Sequence, residues 1–148
     1  MSLLPFTKLI ISLRIIVVAV AYNFNVCNAT DDLTPDEFHV TVHVQVINDI
    51  GAGTDLTVHC KSKDNDLGVR ILPFQQSFEF HFHKNVFATT QFYCSMAWSG
   101  AFKWFDIYIQ QRDDSICCKQ CVWNIKPTGP CVHNVGSPGD TCYIWNNP

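Results

Sequence analysis

Clustered positive charge is what this 148-residue sequence most clearly lacks. Its lysines and arginines are few and scattered, so nucleic acid and anionic membrane surfaces find no basic stripe on which to form phosphate contacts. Charge of either sign makes up only 16% of the chain, and no repeat or low-complexity tract interrupts it, which argues against global disorder. Beyond one apolar run near the N-terminus, none is long enough to cross a bilayer. Helical periodicity is absent. So are His-Glu-x-x-His, Gly-x-Ser-x-Gly and a phosphate-binding glycine loop, and no acidic pair stands out. No catalytic residue, metal site or cofactor is therefore expected, and the chain is not read as an enzyme.

What is present is hydrophobicity and cysteine. With 47% hydrophobic and 13% aromatic residues, the chain can bury the core of one domain. Eight cysteines in so short a chain point to disulfides and an oxidising compartment. The N-terminus agrees: Lys8 precedes "LIISLRIIVVAVA", and small residues suited to signal peptidase follow at Ala19 and Ala21 or at Cys27 and Ala29. The expected leader is residues 1–29, with the domain over 30–148 and cleavage after Ala21 as the alternative. The later cut removes Cys27 and the one N-glycosylation sequon, at Asn28. Losing Lys8 and Arg14 leaves eight Lys and Arg against 13 Asp and Glu, a net charge of −5. The mature protein is expected to be secreted, acidic and not membrane-spanning.

Alternation of apolar and polar residues then marks out strands. Phe38, Val40, Val42, Val44 and Val46 share one face; Leu56, Val58 and Cys60 another; Phe78, Phe80 and Phe82 a third. Phe92 aligns with Cys94, and Cys121 with Trp123 and Ile125; Cys142 is in step with Ile144. In "AFKWFDIYIQ", Phe102, Trp104 and Tyr108 are expected on one face and Phe105, Ile107 and Ile109 on the other. The spacing predicts an all-β fold, a small antiparallel β-sandwich of about eight strands stabilised by disulfides.

Three motifs invite chemistry, and each has a plainer reading. Asp64, Asp66 and Gly68 suggest a calcium loop, but the third oxygen ligand and the distal Glu are missing, so "KSKDNDLG" reads as a polar turn. His81 with His83, and His39 with His43, have zinc-like spacing but lie on the polar faces of strands, where solvated rings are ordinary. Cys118 and Cys121 form a Cys-x-x-Cys pair, yet Cys121 leads into a strand and no second close pair exists, so structural disulfides are expected.

The segments "VHCKSKDNDLG", "FEFHFHKNVFATTQFYC", "FDIYIQQRDDSIC" and "CVWNIKPTGPC", in this order from about Val44 to Cys131, resemble the plant self-incompatibility S1 family, the S-protein homologues. The resemblance implies disulfides involving Cys60, Cys94, Cys121 and Cys131. Four cysteines allow three connectivities, and Cys60 with Cys131 and Cys94 with Cys121 is the expectation. Cys142 would then take one of the doublet, Cys117 or Cys118, with Cys118 preferred, and leave one spare thiol if the leader ends at Ala29. The resemblance also implies a secreted signalling ligand recognised by a cell-surface receptor, as in self-incompatibility between pollen and pistil. A secreted defence protein or inhibitor acting on a foreign enzyme or cell is the alternative.

Recognition is expected in loops carried by a rigid scaffold. These are Asn48 to Asp55, Lys61 to Gly68, Met96 to Lys103 and Gln110 to Ser115, with Lys63, Asp64, Asn65, Asp66, Trp98, Arg112 and Asp113 as candidate contact residues. For Trp98, an anchor role is weighed against a ring folded back over an open end of the core, and the second reading is preferred.

Overall fold

In the computed structural model, which describes residues 40–146, the alternating segments become nine strands and one short helical turn. The strands are β1 (Thr41–Asn48), β2 (Leu56–Lys61), β3 (Asp66–Leu72), β4 (Ser77–His83), β5 (Gln91–Trp98), β6 (Ala101–Ile109), β7 (Gln120–Lys126), β8 (Gly129–His133) and β9 (Asp140–Cys142). The turn α1 (Gln110–Asp113) lies between β6 and β7. Five strands form one sheet in the order β4-β1-β7-β8-β9, and four form the other in the order β3-β2-β5-β6. Every strand pairing is antiparallel except β1 with β7. The fold is the expected sandwich. The leader, the acidic lead-in, Phe38 and His39 lie outside the described residues.

The core is built by residues that alternation singled out, joined by Met96, which was expected in a loop. Val42, Val44, Val46, Trp123 and Ile125 from the first sheet are buried with Leu56, Val58, Met96, Phe105 and Ile107 from the second. The expected phase of β6 fails at Tyr108, which is buried alongside Phe105 and Ile107. Its register explains this: Phe92 pairs with Tyr108 and Cys94 with Phe105, so β6 carries one residue more than β5 across the same interval. That extra residue is a β-bulge, and it flips the face of everything beyond it.

The disulfide pairing differs from the expected one. Cys60 bonds Cys94, Cys117 bonds Cys121, and Cys131 bonds Cys142. Cys60 and Cys94 sit opposite each other in β2 and β5, and Cys131 and Cys142 in β8 and β9. Cys131 therefore lies in a different sheet from Cys60, and Cys121 in a different sheet from Cys94. Cys118 neither takes Cys142 nor is spare, for it too is disulfide-bonded. None of the three pairs links one sheet to the other. In the chain-entropy model loops closed across 34, 11 and 4 residues contribute about 4, 3 and 2 kcal/mol respectively.

A buried ion pair closes one end. Asp113 has no solvent exposure, and burial pushes its carboxyl above the usual carboxylate range while Arg112 and the Ile109 amide pull it back. Arg112 donates Nε to Asp113 Oδ1 at 2.7 Å and Nη2 to Asp113 Oδ2 at 2.8 Å. The same Nη2 donates to the Asp106 carbonyl at 2.7 Å, inside the bulge of β6. Three aromatic rings surround the guanidinium, Tyr143 at 4.9 Å, Phe105 at 5.1 Å and Trp123 at 5.2 Å. Their negative faces replace part of the lost hydration.

The tail beyond β9 packs back over the core. The Tyr143 amide donates to the Pro130 carbonyl, and Trp145 Nε1 donates to the Pro127 carbonyl. This close approach needs Gly129, whose φ is +147°, because a Cβ there would overlap the Tyr143 carbonyl oxygen. Gly129→Ala is accordingly expected to lower stability by about 2 kcal/mol in urea unfolding by displacing the tail. Asp113→Asn, which leaves Arg112 charged and unpaired, should cost about 3 kcal/mol in the same measurement, and adding Arg112→Met should recover part of that loss, since it removes the stranded charge but also the donor to the Asp106 carbonyl.

Candidate recognition surface

The sandwich has two ends, and the connections sort cleanly between them. At one lie the β2–β3 turn, the β4–β5 loop and the segment from α1 to β7; at the other lie the β1–β2 loop, the β5–β6 turn and the tail. Lys63, Asp64, Asn65 and Asp66 are all exposed at the first end. The Ser62 hydroxyl accepts from the Asn65 amide at 3.1 Å, and the Ser62 amide donates to the Asn65 carbonyl at 2.8 Å, so the turn is held by its own side chain. Gly68 supplies the positive φ of +74° that follows.

Asp66 is the keystone of that turn. Its carboxylate accepts from His59 Nε2 at 2.6 Å and the Gly68 amide at 2.9 Å, and pairs with Lys61 Nζ at 3.0 Å. These contacts, His59 foremost, hold its carboxyl well below the usual carboxylate range. The arrangement is a rigid charged turn with Lys63 and Asp64 at its tip.

The other candidates are placed differently. Arg112 and Asp113 are at the same end but turned inward as the buried pair, so Asp113 is not available to a partner. Trp98 is at the opposite end, where its ring lies 5.6 Å from that of Trp145 and packs on the core, the preferred reading of that residue. Met96, in the expected loop Met96 to Lys103, is fully buried in β5, because the connection is only the turn at Ser99 and Gly100. Asn48, assigned to another loop, is buried as well. Its side chain donates to the Thr54 and Leu72 carbonyls and accepts from the Ile50 amide, which fixes the β1–β2 loop.

The histidines are absorbed by pairwise contacts. His43 Nδ1 meets Glu79 Oε1 at 3.2 Å, and His83 Nδ1 meets the Thr41 hydroxyl at 3.1 Å. Among the described residues no three His, Cys, Asp or Glu side chains converge as a metal site would need, and no helix is long and apolar enough to cross a membrane.

The sequence reading missed the β4–β5 loop, where Val86 and Phe87 are 72% and 80% exposed. Phe87 is displayed by a built loop: its amide donates to Asn85 Oδ1 at 2.7 Å, the Asn85 amide donates to the Thr90 hydroxyl at 2.7 Å, and the Ala88 amide closes onto the Asn85 carbonyl. The signal was the Asn85 to Thr90 spacing of an Asx-stabilised turn. It sits inside a phenylalanine-rich run that otherwise reads as core.

Comparisons with known proteins agree with this architecture. Residues 43–145 match the family model described as plant self-incompatibility protein S1. S-protein homolog 5 of Arabidopsis thaliana is 50% identical over 111 residues, covering 75% of this chain and 82% of that protein. S-protein homolog 20 of the same plant is 42% identical over 112 residues, covering 75% and 81%. A solved structure, described as one of the SPH proteins, a widespread family of small, highly stable, secreted proteins from plants, matches with a TM-score of 0.54 at 17% identity, covering 74% of this chain and 97% of that one. With its sandwich, its cysteine-bearing strands and more than two thirds of its length matched, this chain belongs to the plant self-incompatibility S1 family.

Proposed function

We propose that the protein is an extracellular ligand, recognised by a plant cell-surface receptor protein through the end of the sandwich that carries the β2–β3 turn and the β4–β5 loop, and that it acts by binding and not by catalysis. The observation that carries this reading is Phe87. A large apolar ring held in solvent by a hydrogen-bonded loop gains little locally, but it fits an interface anchor whose ordering cost is already met in the free protein. The charged turn at the same end supplies polar contacts of fixed geometry. The secreted character of the SPH proteins supports an extracellular site of action.

The expected leader of residues 1–29 is part of the same reading, and the mature chain would then begin at Thr30. Intact mass of the secreted protein is expected to show a chain starting at Thr30; a start at Tyr22, which keeps Cys27 and the sequon at Asn28, would move the cut to Ala21.

For recognition, fluorescently labelled mature protein should bind intact plant cells saturably, and protease treatment of the cell surface should abolish the binding. Phe87→Ala should weaken it about tenfold or more with the unfolding midpoint unchanged. Binding confined to microbial material would replace the ligand reading with a defence role.

A further inference from the structure

The outer face of the four-stranded sheet carries large apolar side chains that the core does not use. Val69 and Ile71 stand on β3 at one side; Phe102 and Trp104 stand on β6 at the other, 60% and 41% exposed. Between them β2 and β5 present Thr57, Ala97 and Ser95, together with the His59 ring, which is held against Asp66. One register row runs Ile71, Thr57, Ala97, Phe102, and the next runs Val69, His59, Ser95, Trp104. Tyr93 extends the aromatic side, with its ring 6.2 Å from that of Trp104, which in turn lies 5.7 Å from Phe102. The result is a shallow trough with an aromatic wall, an aliphatic wall and a floor that includes two hydroxyls.

Size and charge narrow the occupant. Three strand spacings of about 4.8 Å by four residues of about 3.3 Å give a face on the order of 200 Å². A stable protein partner or a second copy needs about 800 Å² a side. The face also carries no cluster of like charge. Asp66 is matched by Lys61 and His59, and Asp106 accepts from the side-chain amides of Gln91 and Asn146. A small or narrow neutral occupant is complementary to it, and a polyanion or polycation is not. Such an occupant must also offer both apolar and hydroxyl-bonding surface within a few ångströms. Sugars do: their ring C–H bonds, polarised by neighbouring oxygens, suit the negative face of an aromatic ring, while their rims donate and accept hydrogen bonds.

We propose that this sheet face binds a neutral glycan chain, with sugar rings stacked on Phe102, Trp104 and Tyr93 and sugar hydroxyls bonded to Thr57 and Ser95. The rings are fixed on paired strands, so little conformational freedom is lost on binding. The site is separate from the end that bears Phe87 and does not depend on the receptor reading.

The test is calorimetric titration of the secreted, disulfide-intact protein with neutral hexasaccharides, namely β-1,4-glucan, β-1,3-glucan and β-1,4-mannan, and with a xyloglucan oligosaccharide, using oligogalacturonate as the charged comparison. Saturable binding of at least one neutral oligosaccharide is expected, weakened about tenfold by Trp104→Ala and by Phe102→Ala and unchanged by Phe87→Ala. Both aromatic positions are exposed, and circular dichroism of the variants verifies that the fold is kept. Absence of saturable binding up to about 10 mM, binding of oligogalacturonate alone, or undiminished affinity in both aromatic variants overturns the proposal. So does a concentration-dependent dimer that Trp104→Ala abolishes, since the face would then belong to a second copy.

Discussion

One guanidinium organises the region where this fold is most irregular. The bulge in β6 turns Tyr108 inward and takes the Asp106 carbonyl out of the regular ladder. Arg112 answers that carbonyl, neutralises Asp113 and is itself covered by rings from β6, β7 and the tail. Unpaired, either charge would carry a desolvation cost of several kcal/mol; together, with hydrogen bonds and aromatic faces around them, they are tolerated and they specify where α1 sits. Asp113 also accepts from the Ile109 amide, so the end of β6, the turn and the start of β7 are positioned as one unit.

The disulfides have a narrower role than their number suggests. Each of the three assigned pairs joins neighbouring strands of one sheet or closes a short turn, so the two sheets adhere through side-chain packing. Apolar burial at roughly 25 cal/mol per Å², supplied by the valines of β1, Trp123 and the residues facing them, is what holds the layers together. The β1–β2, β2–β3 and β4–β5 loops are thereby freed from holding the two sheets together. They are instead tied locally, by Ser62, Asn85 and Asn48, each through hydrogen bonds to backbone nearby.

Much of this was legible in the sequence because period two is unambiguous when one face is wholly apolar. Val42, Val44 and Val46, then Leu56, Val58 and Cys60, are buried as alternation predicts. β3 escaped because it is an edge strand whose Val69 and Ile71 face outward and whose start is polar, so it looks like the continuation of a turn. β8 escaped because "GPCVH" is short and opens with glycine and proline. The phase of β6 could not be read without its bulge. Disulfide pairing needs the strand order, which four isolated cysteines do not carry. Arg112 and Asp113 were assigned to the surface because charged residues usually belong there, and only the ring cage around them shows why these do not.

The order of the pairings bears on how the chain matures. Cys60 with Cys94, Cys117 with Cys121 and Cys131 with Cys142 follow one another along the sequence without crossing. In a chain entering an oxidising compartment from its N-terminal side, both members of each of these pairs therefore arrive before the next pair begins, although Cys118 arrives inside the Cys117–Cys121 interval and bonds elsewhere. The strand topology runs the other way. β1 lies between β4 and β7 in its sheet and cannot be completed until β7, late in the chain, has been delivered. Covalent closure can thus proceed stepwise while the sandwich itself assembles only near the end of synthesis, with the Cys60–Cys94 bridge holding the four-stranded sheet ready for the strand that completes the other.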